Sequence, residues 1–417
     1  MGGDGMSEWK KVKLGECIST KKGFAFKSNL YTTEGIPVVR VSDFTFDSIT
    51  NEDLVYYPTC ELEKYLDYVL NEKDILIQTV GSWQNNPKSV VGKVVHVPYY
   101  HKGSLLNQNI VKIIPLKEYE RDFLFYRLRC IDFSGYVLGE ARGAANQASI
   151  TLETIKRFPF YCPKLASQQR IASILSRYDS LIDNYQKQIK LLEEAAQRLY
   201  KEWFVDLRFP GYENTPVVNG VPEGWYISSI TDTTLFSFVK SRVSKFDGEK
   251  IYYATADVDN TYICGNGITV NYDNKPSRAQ IIPPPYSIWF ARMSKSYKIL
   301  GFSEKNEDRR KKTIISSGFA GFQSKVDTYG FMYCMISSQW FNNEKDRFAT
   351  GSTQVSLTNE GLSRIACLFP KEDIAIKFSR VTNNIIERMV LLKETCFILT
   401  EARDRLLPKL MSGEIEV

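Results

Sequence analysis

Histidine is nearly absent from this chain: His96 and His101 are the only two in 417 residues. The eight cysteines (Cys17, Cys60, Cys130, Cys162, Cys264, Cys334, Cys367, Cys396) are scattered and form no C-x-x-C pair. Both facts argue against a zinc site and against a disulfide framework, and reduced thiols in a cytoplasm are expected. No apolar run reaches the ~18 residues of a membrane span. The opening MGGDGMSEWKKVKLGE has no signal-peptide core, and Met1 to Gly5 reads as a leader ahead of a native Met6.

Chemistry-bearing motifs are missing too. There is no P-loop, no Ser/His/Asp arrangement and no paired-carboxylate nuclease core. Asp74-Ile75-Leu76-Ile77-Gln78 loosely resembles a nuclease strand, but Val80 stands where that pattern needs lysine, so a plain strand is expected. Pro283-Pro284-Pro285-Tyr286 invites comparison with the Pro-Pro-Tyr motif of amino-methyltransferases. The preceding position offers no side-chain acceptor, and Gly265-Asn266-Gly267 lacks the third glycine of a cofactor fingerprint. A strand entrance is the better reading. Without a catalytic motif, the chain is expected to do no chemistry alone.

What is present is length and pattern. At 43% hydrophobic and 24% charged, 417 residues are enough for two or three ordinary globular cores. The stretch Ser167 to Phe204 contains no Gly or Pro. Within it Ile171, Leu175, Tyr178, Ile182, Tyr185, Ile189, Leu192, Ala196, Leu199 and Trp203 step alternately by four and three, the seam of a coiled coil. Ser167 suits an N-cap, and ~1.5 Å per residue makes the helix about 55 Å long. Such a helix needs a partner for its apolar stripe.

The partner is a second copy. An offset of 207 positions carries Gln147 onto Gln354 and Pro163 onto Pro370. The seam becomes Phe378, Thr382, Ile385, Met389, Leu392, Cys396, Leu399, Arg403, Leu406 and Leu410, broken only at Thr382 and Arg403. The lead-in Gly143 to Pro163 repeats as Gly351 to Pro370, with one single-residue gap. If the helices run antiparallel, Arg403 lies near the start of the first helix and Asp179 is its candidate partner.

Each seam follows a globular segment. The first (residues 7–161) has β-type runs at Ile36 to Phe44, Asp74 to Val80, Val90 to Val97 and Gln108 to Pro115, and a short helix at Phe123 to Cys130. A helix is expected over 165–204 and a Pro/Gly/Asn-rich connector over 205–224. The second segment (225–370) has β-type runs at Lys250 to Val258, Tyr286 to Met293, Lys312 to Phe322 and Phe331 to Ser338. The final helix is expected over 371–412. By position, Tyr286 to Met293 matches Asp74 to Val80, and Lys250 to Val258 matches Ile36 to Phe44. The fine sequence of the two segments differs widely, as suits a protein that reads two different things.

The net charge of +6 permits a polyanion partner without requiring one. Phosphates attract Lys and Arg, while base edges suit Arg, Asn, Gln and Ser. Candidate DNA contacts in the first segment are Arg40, Ser42, Ser82, Gln84, Lys88, Arg142, Asn146 and Gln147. In the second they are Arg278, Arg292, Lys295, Lys298, Arg309, Arg310, Lys311, Lys312 and Gln354. A merely solvated face is the competing reading for the run Arg309 to Lys312.

With the order segment, helix, segment, helix in hand, the chain resembles the specificity subunit of type I restriction-modification systems. The resemblance spans Trp9 to Val417. It is carried by SITLETIKRFPFYCPKLASQQRIASILSRYDSLID (Ser149 to Asp183), LYKEWFVDLRFP (Leu199 to Pro210), VPEGW (Val221 to Trp225) and ARDRLLPKLMSGEIEV (Ala402 to Val417). It implies an α+β fold: two α/β target-recognition domains separated by two long antiparallel helices that form a coiled-coil spacer. It implies that each domain reads one half of a split, asymmetric target in double-stranded DNA. Two modification (methyltransferase) subunits would dock on the helices and restriction subunits would join them. S-adenosylmethionine, ATP and Mg2+ would belong to those partners. The rival readings are a non-catalytic coiled-coil scaffold and a stand-alone DNA methyltransferase or nuclease.

Overall fold

The computed structural model describes residues 9–45, 47–51, 53–83, 89–144, 147–240, 243–265, 267–352 and 354–417. The chain divides into two compact units. The first takes residues up to Ser180 together with Thr400–Val417; the second takes Leu181–Leu399. Both divisions fall inside long helices, Leu165–Tyr200 and Glu372–Met411, so each helix serves both units.

The first unit is built on an antiparallel sheet in the order Ile18–Lys22, Ile110–Pro115, Ile75–Gln78, Val94–His96. Ile75, Leu76 and Ile77 are fully buried. A strand covered on both faces has no polar alternation, which is why this run reads as continuously apolar. A second sheet pairs Ile36–Val39 antiparallel with Val55–Tyr57 and parallel with Leu105–Leu106. Lys10–Lys13 pairs with Pro159–Cys162, and helices Arg121–Leu128 and Ile131–Glu140 complete the core.

The second unit uses the same order. Its antiparallel sheet runs Phe236–Phe238, Phe319–Ser324, Ser287–Ala291, Ile299–Phe302. Lys250–Tyr253 pairs antiparallel with Ile268–Val270 and parallel with Thr313–Ser316. Tyr226–Ser229 pairs with Ala366–Phe369. Ser287–Ala291 thus holds the place of Ile75–Gln78, and Lys250–Tyr253 that of Ile36–Val39. Pro283 to Tyr286 leads into a strand, as its sequence suggests.

Three expectations are corrected. Phe331 to Ser338 reads as a strand but falls largely in the helix Val326–Ile336, where every residue from Thr328 onward is buried. A helix enclosed on all sides loses its 3.6-residue pattern and resembles a buried strand. Lys312 to Phe322 is not one strand but parts of two in different sheets, Thr313–Ser316 and Phe319–Ser324, broken at Ser317-Gly318. Ser167 is not a cap: the helix already runs from Leu165, and the Ser167 N–H donates to Lys164 O at 3.0 Å. The connector also carries a small hairpin, Val217–Val218 with Val221–Pro222, turned by Asn219 (φ 52°) and Gly220 (φ 78°). That Asn-Gly pair suits a two-residue turn needing positive φ twice.

The helix seams pack together inside each unit. In the second, Ile182, Ile189 and Leu192 share a cluster with Leu392, Cys396 and Leu399. Further along, Tyr200, Trp203 and Phe204 set their rings 4.9–6.2 Å from Phe378. As one helix rises from 182 to 204 its partner falls from 396 to 378, so the pair is antiparallel. Ala196 and Met389 are buried, and Tyr185, Leu199 and Ile385 are half-buried, with Ile386 sharing the load beside Ile385. In the first unit Ile171, Ala172 and Leu175 join one core with Leu406, Leu407, Leu410 and Met411, and Tyr178 is half-buried.

Thr382 breaks the apolar seam for a reason visible in packing. A Cβ on Gly330 would lie 2.2 Å from Thr382 Oγ1, so a bulkier side chain has no room. The buried hydroxyl donates to Phe378 O at 3.0 Å, which removes its desolvation penalty.

Candidate nucleic-acid interface

In the first unit the chain leaves the central strand at Gln78, and Val80–Gly81 pairs instead with Gln147–Ser149. That strand pairs in turn with Arg142–Ala144. Gly81 and Ala148, which flank two amide-rich stretches far apart in sequence, are thereby paired. Gly143 makes the second loop possible: its φ is 153°, and a Cβ there would meet Gln147 O at 2.0 Å. Arg142 and Gln147 are exposed. Ser82 accepts a hydrogen bond from Ser89 Oγ at 3.0 Å. Gln84, Lys88 and Asn146 lie outside the described residues.

The second unit builds the same junction. The Thr79 N–H donates to Asn109 O at 2.8 Å, and Thr79 O accepts from the Ile150 N–H at 2.9 Å. Arg292 does the same with Gly318 O and the Leu357 N–H, at 2.9 and 2.8 Å. Val80 therefore corresponds to Met293, and each bridges a serine of the lead-in, Ser149 or Ser356. Gly351 (φ 133°) repeats Gly143, with Gln354 O 2.5 Å from its would-be Cβ. Lys295 and Gln354 are exposed here, and Tyr297 is 46% exposed.

Other sequence-predicted contacts sit elsewhere. Arg40 forks onto buried Asp43 at 2.8 and 3.2 Å, and Ser42 donates to the same carboxylate at 3.0 Å. Arg278 is exposed just before the strand Ala279–Ile281. Arg292 turns its guanidinium inward to Leu357 O (3.0 Å) and Asn359 Oδ1 (2.8 Å), and burial lowers its pKa. Lys298 donates to Thr255 O at 2.6 Å.

The basic run is divided by its short helix, Glu307–Lys312. Arg309 reaches Glu394 at 3.2 Å and lies 3.7 Å over the Phe397 ring. Arg310 donates to Pro283 O at 3.2 Å and stands 3.7 Å from Glu307. Lys311 pairs with Glu307 at 2.8 Å, and Lys312 is exposed. The run therefore does not present four cations on one open face.

Sequence reasoning missed the groups that hold the loops. Gln78, fully buried, donates its amide to Val80 O and Ser89 O, both at 2.9 Å. Lys345, 1% exposed, donates to Met293 O at 3.2 Å and to Ser296 O. Asp346 accepts from the Lys295 N–H at 2.9 Å and from the Tyr297 hydroxyl at 3.2 Å. A lone amide ending the run Ile-Leu-Ile-Gln was the available signal for Gln78; Lys345 has none in its polar helix.

Among the described residues, no group of three or more His, Cys, Asp or Glu is placed to hold a metal ion. No helix of the described residues is long and apolar enough to cross a membrane.

Residues 6–194 match the family described as Type I restriction modification DNA specificity domain. The chain is similar to the type I restriction enzyme MjaIX specificity subunit of Methanocaldococcus jannaschii, at 25% identity over 75% of this chain and 73% of that one. It is similar to that organism's putative MjaX specificity subunit at 24% identity over 98% and 94%. The crystal structure of a type I restriction-modification S subunit from M. genitalium shares the fold, with a TM-score of 0.55 and 17% identity over 97% and 96%. The fold is thus that of two α/β units with a long-helix spacer. The chain is thus similar, over most of its length, to specificity subunits of type I restriction enzymes.

Proposed function

We propose that each globular unit reads one half of a bipartite, asymmetric target in double-stranded DNA. The paired long helices set the gap between the halves and dock two methyltransferase subunits, which restriction subunits join. The chain performs no chemistry itself. S-adenosylmethionine, ATP and Mg2+ sit on those partners, and the complex works in the cytoplasm.

The observation that carries this reading is one frame with two unlike reading edges. Strand order and the junction at Thr79 and Arg292 repeat. The loops they present do not: one is the amide-rich stretch after Gly81, the other the short Ser294–Lys298 segment. A shared frame fixes how a duplex is met; differing loops let each half be read differently. The candidate contacts are Ser82, Gln84, Lys88, Arg142, Asn146 and Gln147 on one edge and Lys295 and Gln354 on the other, with Arg278 and Lys312 on the phosphates.

Methylation mapping of DNA from cells that carry this chain and its partners tests it. A two-part motif with a fixed gap is expected. A contiguous motif, or methylation by the purified chain alone, overturns the reading.

A further inference from the structure

The carbonyls of Val80 and Met293 occupy the same position in the two units, each one residue beyond the junction at Thr79 or Arg292. In both units that carbonyl accepts from a buried side chain, and the same side chain also reaches the carbonyl where the loop returns. The donors are unrelated. In the first unit it is Gln78, from the strand itself, bridging Val80 O and Ser89 O. In the second it is Lys345, from the helix Gln339–Arg347, bridging Met293 O and Ser296 O.

The two solutions exclude one another by position. Gln78 corresponds to Ala291, which has no donor to offer. Lys345 stands seven residues past the helix cap Ser338; seven past Cys130, the cap of the matching helix, stands Val137. Val137 packs on Gly92 of the first unit's loop, and the Gly92 N–H closes on Gln78 O at 2.8 Å. Burying a lysine ammonium is costly unless it is fully hydrogen-bonded. A protein holding only a passive turn there needs no such group.

Resting on the reading that these loops contact bases, we propose that Gln78 and Lys345 are positioning residues for base discrimination, each clamping both ends of its own unit's reading loop. They touch no DNA. They fix the backbone so that the loop's side chains meet base edges in one register, because hydrogen-bond readout fails with small misplacements.

The test uses the full chain assembled with its methyltransferase partners. The kcat/KM for methylation is measured on the mapped target and on targets with single base changes in either half. For Lys345→Met, discrimination is expected to fall about tenfold in one half and to stay unchanged in the other. For Gln78→Leu the affected half should be the opposite one. Lys345→Gln, which restores a donor, should recover part of the loss. The salt dependence of binding, set by phosphate contacts, should not move in any of them. Unchanged discrimination in both halves, or equal loss in both, overturns the proposal. If Lys345→Met does not fold, Asp346→Ala decides: it frees the Lys295 N–H and the Tyr297 hydroxyl at the surface and should relax the same single half. A wild-type complex without a two-part motif defeats the underlying reading instead.

Discussion

Arg403 donates to Asp179 at 2.5 Å, joining the C-terminal long helix to the first one inside the first unit. The other carboxylate oxygen of Asp179 accepts from the Tyr126 hydroxyl, also at 2.5 Å. Arg403 is 5% exposed, and Asp404 is its second partner at 2.8 Å. Burial alone would lower the arginine pKa, but the two carboxylates outweigh it and raise it. A charge this buried is tolerable only while it is paired. Asp179→Ala should therefore destabilise the first unit by about 3 kcal/mol. In Asp179→Leu with Arg403→Met the loss should be much smaller. A double-mutant cycle on chemical unfolding measures the coupling, and a coupling near zero contradicts it.

Acid sensitivity should trace to His96. Its ring is stacked at 3.4 Å on Phe125, and Nε2 has no hydrogen-bond partner. Asp122 is 3.9 Å away and already engaged by Arg121 at 3.2 Å. Burial first, then the nearby Arg121, Arg129 and Lys73, push the imidazole pKa down from 6.5 to about 3. Between those values the unfolded chain holds a proton that the folded chain does not, so stability falls as the pH drops below 6.5. Going from pH 8 to pH 5 should cost about 2 kcal/mol through this group. His96→Leu should flatten that slope, read as urea midpoints at the two pH values. His101, also lowered by burial, keeps its own share. Both histidines are in the first unit, so the second should lack this slope.

Gln147 and Gln354 occupy corresponding exposed places, each a few residues after a positive-φ glycine, Gly143 or Gly351. Gln147→Ala should relax base choice in one half of the target and Gln354→Ala in the other, by ~1–3 kcal/mol at a single position. Methylation of a library randomised in both halves measures this. Loss in both halves from either change would mean misfolding rather than lost readout.

Thiol chemistry should be confined. Cys60 is exposed, while Cys17, Cys130, Cys162, Cys334, Cys367 and Cys396 are buried. Burial pushes Cys17, Cys130 and Cys396 up to about 11 and Cys162 to about 12. The buried thiols are doubly protected, since the thiolate is the reactive form. A thiol reagent should label Cys60 in the fast phase, with half-buried Cys264 slower, and Cys60→Ser should remove that phase.

The helices and their pairing were legible because a seam is written in every turn: Ile171 to Leu199 and Phe378 to Leu406 each repeat a local rule many times. Even the polar break at Arg403 named its partner, since antiparallel packing fixes which residues meet. The strand Ile75–Gln78 and its counterpart Ser287–Ala291 could be matched by position and apolarity. Phe331 to Ser338 could not be read correctly, because complete burial erases the difference between a helix and a strand. The candidate contacts fared unevenly for a related reason. Composition marks Arg292 and Arg309 as cations but not which way they face; Leu357 O and Glu394, far along the chain, draw them inward. Lys345 was invisible because its value comes only from two carbonyls some fifty residues away.

The segment Thr400–Val417 has a consequence for how the protein is made. Leu410 and Met411 lie in the same core as Leu14, Phe123 and Ile171. The first unit to be translated therefore emerges with the strip at Ile171 and Leu175 uncovered, and it must wait through more than two hundred further residues for its cover. The second unit, drawn from one uninterrupted stretch, can close sooner. Order of synthesis and order of completion are thus reversed: the unit made first is the last to receive all of its core.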